Sequence, residues 1–273
     1  MSRVIMYLLT CFFTCSVLAQ GTLPIKVKST ATQENLEHVL IHNVNTREYI
    51  YSKQYITSLK YQNEEDVIIA YLPGYEFFKS NLQSVIESDT TIYLTPKTKD
   101  KLHIILEAEA EPNSNYVYQF KRENAYTTFY LGMDSSILST YKHKKCRSCQ
   151  LEAIKLYFDT SKFEEGEVFF VRLLFFDRKM RPLISSPNAI ELTKGETEIL
   201  FELSADNSIE LDRNSVYYIG YDVIGNFKNM KDFGHRGVHI REDLAKIRRT
   251  PLHPWRTTIV NYSIGYKIYF NKK

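Results

Sequence analysis

Glycine-rich phosphate loops, blocks of like charge and, past the N-terminus, long apolar runs are all missing from this 273-residue sequence. Without a glycine-rich loop after a strand-like segment there is no cradle of backbone N–H groups for nucleotide phosphates. No serine sits in a Gly-x-Ser-x-Gly turn and no His-Glu-x-x-His occurs, which removes the nucleophile elbow and the zinc-peptidase helix. Basic residues number 35 against 32 acidic ones, a formal +3 that includes Arg3, so a nucleic-acid partner is not expected. No cofactor and no metal is expected on the same motif grounds. Nothing after the first twenty residues is apolar for long enough to span a bilayer, so no transmembrane segment is expected in the processed chain.

Met1-Ser2-Arg3 followed by an uncharged run from Val4 to Ala19 has the form of a signal peptide: one cation, an apolar stretch and small residues at Val17 and Ala19 before Gln20. Cleavage after residue 19 is expected, with export to periplasm, outer membrane or medium. Cys15 follows Phe12-Phe13-Thr14 and so lacks the leucine a lipid-attachment site carries. About 250 residues then remain, room for one or two domains with buried cores, two being expected.

Tyrosine (20) and phenylalanine (16) are abundant, and they fall in alternating segments, the composition of half-buried pleated surfaces. Between Leu23 and Leu106, short alternating runs occur at Ile25 to Lys28, Val39 to Val44, Tyr49 to Tyr51, Ile56 to Tyr61, Asp66 to Leu72 and Thr90 to Thr95, with Pro73-Gly74 as a turn. Six or seven strands in this length are covered on both faces most economically in a sandwich. Ser80 to Ser88 reads as a helical turn. The polar segment Glu107 to Asn115, with Pro112 in it, reads as a linker at residues 107–115. Beyond it come strands at Tyr116 to Phe120, Ala125 to Leu131, Leu151 to Phe158, Glu167 to Phe176, Ile199 to Leu203 and Ser215 to Val223. Thr258 to Phe270 reads as one long closing strand. Glu167 to Phe176 is nearly continuous in apolar character and reads as the core strand.

The first series resembles the carboxypeptidase regulatory-like domain, a small transthyretin-like β-sandwich. The resemblance is carried by Asn35-Leu36-Glu37-His38-Val39-Leu40-Ile41, by Asp66-Val67-Ile68-Ile69-Ala70-Tyr71-Leu72-Pro73-Gly74-Tyr75-Glu76, and by Thr91-Ile92-Tyr93-Leu94-Thr95-Pro96. It departs from the family at Ser52-Lys53-Gln54-Tyr55, where an aspartate and glycine turn is usual. The second series more loosely resembles the jelly-roll-like sandwich found downstream of such domains in exported bacterial proteins. That likeness rests on Ile154 to Phe158, Phe170 to Asp177, Arg181-Pro182-Leu183 and Tyr217 to Tyr221. The expected fold is thus all-β, two β-sandwich domains: residues 20–106 transthyretin-like, residues 116–273 jelly-roll-like. The first resemblance implies a structural or adapter module without catalytic residues.

Several side chains are candidates for chemistry. Cys146 and Cys149 stand as Cys-Arg-Ser-Cys after Lys142-His143-Lys144-Lys145. In an exported chain a small-loop disulfide or idle thiols are the leading reading, with a merely ordered loop next and metal chemistry, to which His143 could supply a ligand, or redox chemistry last, since the basic lead-in does not resemble a redox motif. His235 and His239 lie four apart and would share a face of an extended segment, but Asp232, Gly234, Arg236 and Arg241 around them suggest a solvated loop. His38 and His42 repeat the spacing on the second strand and read as surface residues. Glu164, Glu165, Asp177 and Asp222 are the carboxylates from which a glycosidase pair would be drawn. Trp255, in Leu252-His253-Pro254-Trp255-Arg256, is the residue to watch for sugar binding, because an indole ring covers the apolar face of a pyranose; packing beneath a loop is the plainer role. The function expected is non-catalytic binding or scaffolding at the bacterial cell envelope, with a protein or glycan partner. A carbohydrate-binding accessory protein comes second and a glycosidase with paired carboxylates third.

Overall fold

The computed structural model describes residues 21–52, 56–97, 105–107, 110–119, 127–130, 135–144, 146–184, 186–203, 209–225 and 233–272. The signal peptide read at residues 1–19 and the atypical hairpin residues 53–55 lie outside them. The described residues are all-β apart from one short helix, and the chain divides by contact into two units.

Of the described residues, the smaller unit holds those from 21 to 70 and from 77 to 95. Its first sheet has β1 (Gly21–Ser29) between β4 (Thr57–Tyr61), antiparallel, and β7 (Thr91–Leu94), parallel. Its second sheet has the order β3 (Glu48–Tyr51), β2 (Leu40–Asn43), β5 (Val67–Tyr71), β6 (Phe78–Asn81). Alternation explains the burial. Ile25, Val27, Leu59, Ile92 and Leu94 from one sheet and Ile41, Ile68 and Ala70 from the other are at most 3% exposed, and along β4 and β5 the buried residues alternate with more exposed ones. Asn43 pins the two sheets together, its amide donating to the Lys60 carbonyl and to the Asp66 carboxylate, each at 2.9 Å. Helix α1 (Leu82–Glu87) starts at Asn81, whose side chain accepts from the Ser84 N–H at 3.0 Å, and buries Leu82 and Val85.

The larger unit takes residues 71–76 and 96–273. One face carries β14 (Pro182–Ile184) and β15 (Ile190–Thr193) on β13 (Val168–Asp177), then β18 (Val216–Ile224), β11 (Ser136–Lys142) and β19 (Gly234–Arg248). Strands β10 (Thr127–Phe129) and β20 (Arg256–Ile264) pair with β19. The other face carries β12 (Ser148–Asp159) between β21 (Tyr266–Lys272) and β16 (Glu198–Leu203) with β17 (Ile209–Asp212). Strand β9 (Tyr116–Gln119) adds to β21, and β8 (Ile105–Glu107) adds to β16. The faces join where the end of β12 pairs with the start of β19, Phe158 opposite His235 and Asp159 opposite Gly234. A bare backbone is needed there, since a Cβ on Gly234 would sit 2.5 Å from the Asp159 carbonyl oxygen. One continuous core lies between the faces, with Phe158, Phe175, Phe201, Tyr221 and Phe270 at most 1% exposed. Burial of each such side chain contributes roughly 1.5–3 kcal/mol.

Three sequence expectations require correction. The linker read at 107–115 does not hang free. The unit boundary falls at Thr95/Pro96, Ile105–Glu107 is a strand of the larger unit, and Glu111, Ser114 and Asn115 bond to Lys155, Glu152 and Asn271. The composition looked solvated because these polar groups are matched by partners 38 to 156 residues away. The single closing strand is two strands: at Gly265 the chain leaves β19 and joins β12, exchanging one face of the sandwich for the other. The solvated loop around His235 is instead the start of the 15-residue β19.

Candidate functional site

Buried charged side chains of the larger core face one another on β13, β18 and β19, with Ser136 of β11 among them. Asp222, fully buried, accepts from Arg248 Nη2 at 3.0 and 3.2 Å through both carboxylate oxygens and also from the Ser136 hydroxyl. The same guanidinium donates from Nε to Ser136 Oγ at 3.1 Å and from Nη1 to the Pro251 carbonyl at 3.2 Å. Strand pairing brings these residues together, Ser136 standing opposite both Asp222 and Arg248. Arg172, also buried, stands opposite Asp222 on β13 and donates to the Pro187 carbonyl at 3.2 Å. Desolvation of two arginines and a carboxylate is costly, and it is tolerated because the carboxylate and the Arg248 donors are engaged in these bonds.

Trp255 packs against this network. The Arg248 guanidinium carbon lies 4.2 Å from the centre of its ring, and Phe176 meets it edge-on at 6.0 Å. The ring is partly exposed, neither sealed under its loop nor projecting from a sheet face. Pro251 and His253 shape that loop, with Thr250 Oγ1 and His253 Nδ1 2.8 Å apart.

The candidate carboxylates do not converge. Asp177 stands opposite Tyr217 in the β13–β18 ladder, and Asp222 is five residues further along β18. At about 3.3 Å per residue this separates the two by roughly 16 Å, beyond the ~5–9.5 Å that glycosidase carboxylates span. Asp177 is held by Arg181, Nε donating at 2.6 Å. Burial opposes its ionisation, but the hydrogen bonds and charge of Arg181 outweigh it and hold the pKa low. Glu164 and Glu165 are exposed, Glu165 lying 3.7 Å from Lys194. On the outer face of β12, Lys155 sits 2.8 Å from both Glu111 and Glu198. The Lys155 hydrogen bond, with further ones from Tyr269 and Lys267, lowers the Glu111 pKa to about 2.

The histidines are dispersed. His235 is 2% exposed, its Nδ1 lies 2.6 Å from the Tyr221 hydroxyl, and burial lowers its pKa to about 3. The His239 side chain lies outside the described residues, so its convergence with His235 is not part of this geometry. His42 stacks on Tyr49 across the β2–β3 pair at 4.0 Å, whereas His38 precedes β2 in a left-handed conformation (φ 57°).

One cluster does gather ligand-type side chains. Cys146 and Cys149 are joined as a disulfide with Cα atoms 5.9 Å apart, within the range a disulfide bridges. His143 Nε2 lies 3.6 Å from Cys146 Sγ, and the donor atoms of His143, Cys146 and Cys149 all fall within 4.8 Å of one another. The other ring nitrogen, Nδ1, lies 2.7 Å from the Tyr141 hydroxyl. The turn between β11 and β12 produces this arrangement: Tyr141 is next to last in one strand, Cys149 is second in the next, and β17 and β21 flank Cys149 through Leu211 and Lys272. His143 and Cys149 are fully buried and Cys146 is 8% exposed. Burial lowers the His143 pKa and raises that of Tyr141. The cysteines and His143 were visible in the sequence. Tyr141 was not read as part of the cluster, although it stands two residues before His143 and an extended chain places such residues on one face.

No family model matches the chain, and no curated protein matches it. Among solved structures, it is similar to the cysteine protease and lectin-like domains of Cwp84, a surface layer associated protein of Clostridium difficile, at 11% identity and a TM-score of 0.34. The match covers 56% of this chain and 37% of that one, so the chain spans little more than a third of that structure's length. No helix among the described residues is long and apolar enough to cross a membrane.

Proposed function

We propose that this protein is an exported, non-catalytic binding or scaffolding module of the bacterial cell envelope. The smaller unit acts as a carboxypeptidase regulatory-like adapter and the larger, jelly-roll-like unit carries the recognition surface. The observation behind this reading is the fate of the groups from which an active site would be drawn. Asp177 is occupied by Arg181, Asp222 by Arg248 and Ser136, and His235 by Tyr221, each in a bond that supports the fold. Asp177 and Asp222 stand too far apart to act on one glycosidic bond.

A second reading, carbohydrate binding, has one observation in its favour. Trp255 is partly exposed, and its ring is held by Arg248 and Phe176, so a sugar would meet an ordered aromatic surface at little conformational cost. A glycan array of the purified chain beside Trp255→Ala separates the two readings. Saturable binding lost in the variant makes the larger unit a sugar-recognition module. Absence of binding to every glycan leaves a protein partner, to be sought by crosslinking in the native envelope.

A further inference from the structure

A disulfide that serves only the fold has no need of a histidine. Here a fully buried imidazole is directed at the bridge, 3.6 Å from Cys146 Sγ, and braced from behind by the Tyr141 hydroxyl. The bridge closes a loop with a sequence separation of only 3, so it restricts the unfolded chain far less than a long-range bridge would. Its two cysteines are also unequal: Cys149 has no exposure, while Cys146 retains 8% and is flanked in the sequence by the exposed cations Lys144 and Arg147. Nearby cations favour thiolate formation and thiol–disulfide exchange.

We propose that Cys146–Cys149 is a directional thiol–disulfide exchange site, attacked at Cys146 by a dithiol reductant, with His143 carrying the proton between the incoming and departing sulfurs. This goes beyond the binding role and does not depend on it. In the reactive tautomer, His143 Nδ1–H donates to the Tyr141 hydroxyl and Nε2 is left as an acceptor. The first thiol of the reductant loses its proton to Nε2 as its sulfur bonds Cys146 Sγ. The Cys146–Cys149 bond breaks, its electron pair stays on Cys149 Sγ, and the Nε2 proton passes to that thiolate. The reductant's second thiol then attacks the reductant sulfur attached to Cys146. This forms the reductant's own disulfide and releases Cys146, which is protonated by the same route. The protein disulfide has gained two electrons and two protons, and the dithiol has lost them. Tyr141 is a positioning residue that fixes the imidazole tautomer.

The test follows reduction of the folded chain by dithiothreitol, with peptide mapping to keep Cys11 and Cys15 out of the count. Reduction without unfolding is expected, and His143→Asn is expected to slow it about 100-fold, the scale of a lost proton-transfer group. Because that variant also alters a buried contact, a second pair leaves His143 in place and reports which sulfur is attacked. A chromogenic aromatic disulfide is expected to form a mixed disulfide on Cys146 in Cys149→Ser and to leave Cys149 unmodified in folded Cys146→Ser. A bridge that is reduced only on unfolding, a His143→Asn rate equal to the parent's, or equal labelling of the two single-cysteine variants would each overturn the proposal.

Discussion

Replacing Arg248 by Met removes a buried cation while keeping most of its length, and the structure sets how much this costs. Arg248 supplies Asp222 with contacts at 3.0 and 3.2 Å and also bonds Ser136 and Pro251, with 8% side-chain exposure on the arginine and none on the aspartate. The variant leaves the Asp222 carboxylate in the core with Ser136 bonded to it and Arg172 facing it across the ladder. Breaking one side of a buried pair costs about 3–5 kcal/mol, mostly because the remaining charge stays desolvated. At about 2–4 °C per kcal/mol for a unit of this size, the melting temperature should fall by roughly 6–20 °C. Removing the second charge as well, in Arg248→Met with Asp222→Asn, should recover a substantial part of that loss, because the penalty belongs to the orphaned charge and not to the missing attraction. Urea titration of the four members of the cycle gives the coupling. Trp255, the chain's one tryptophan, lies against the guanidinium and serves as the fluorescence probe. Should Arg248→Met cost under about 1 kcal/mol, or should the two substitutions simply add, the network is not the tightly coupled core described above.

Other consequences are checked more briefly. His235 has a folded pKa of about 3, below its unfolded value near 6.5, so the unfolded chain binds the extra proton first. Stability should therefore be unaffected by this group above about pH 6.5 and decline by about 1.4 kcal/mol per pH unit between there and about pH 3, a slope that His235→Gln should flatten in acid titrations followed by circular dichroism. Gly220→Ala would place a Cβ 1.8 Å from the Ile137 carbonyl oxygen, a backbone clash no rotamer relieves, and should destabilise by more than about 4 kcal/mol or abolish soluble expression. Replacing both Cys146 and Cys149 by Ser should cost about 2 kcal/mol in urea melts, the entropy of so short a loop; a loss of 5 kcal/mol would show that the bridge orders more than its own turn.

Local alternation made most strands legible, and burial follows it, as in Thr57–Tyr61 and Val67–Tyr71, where inward and outward residues take turns. Two central strands were not legible, for one reason: their polar residues are satisfied by distant partners. Ser136–Lys142 reads as polar, yet Ser136 bonds Asp222 and Ser139 meets Ser263, 124 residues away. Gly234–Arg248 carries so many charges that it resembles a loop, and it becomes a strand by pairing with β10, β11, β12 and β20. The break at Gly265 was hidden because both halves alternate alike; only the change of pairing partner separates them. At the candidate site, the spacing of Cys146 and Cys149 was legible because it is local. The Arg248–Asp222–Trp255 arrangement was not, since its partners meet only through pairing of β11 with β18 and β19.

The central proposal is that the protein binds a component of the bacterial envelope, and it is tested most directly by titrating the labelled, purified chain onto isolated bacterial cell envelopes. Saturable binding that unlabelled chain competes away is predicted, and binding that rises linearly without saturation, or none at all, would contradict it.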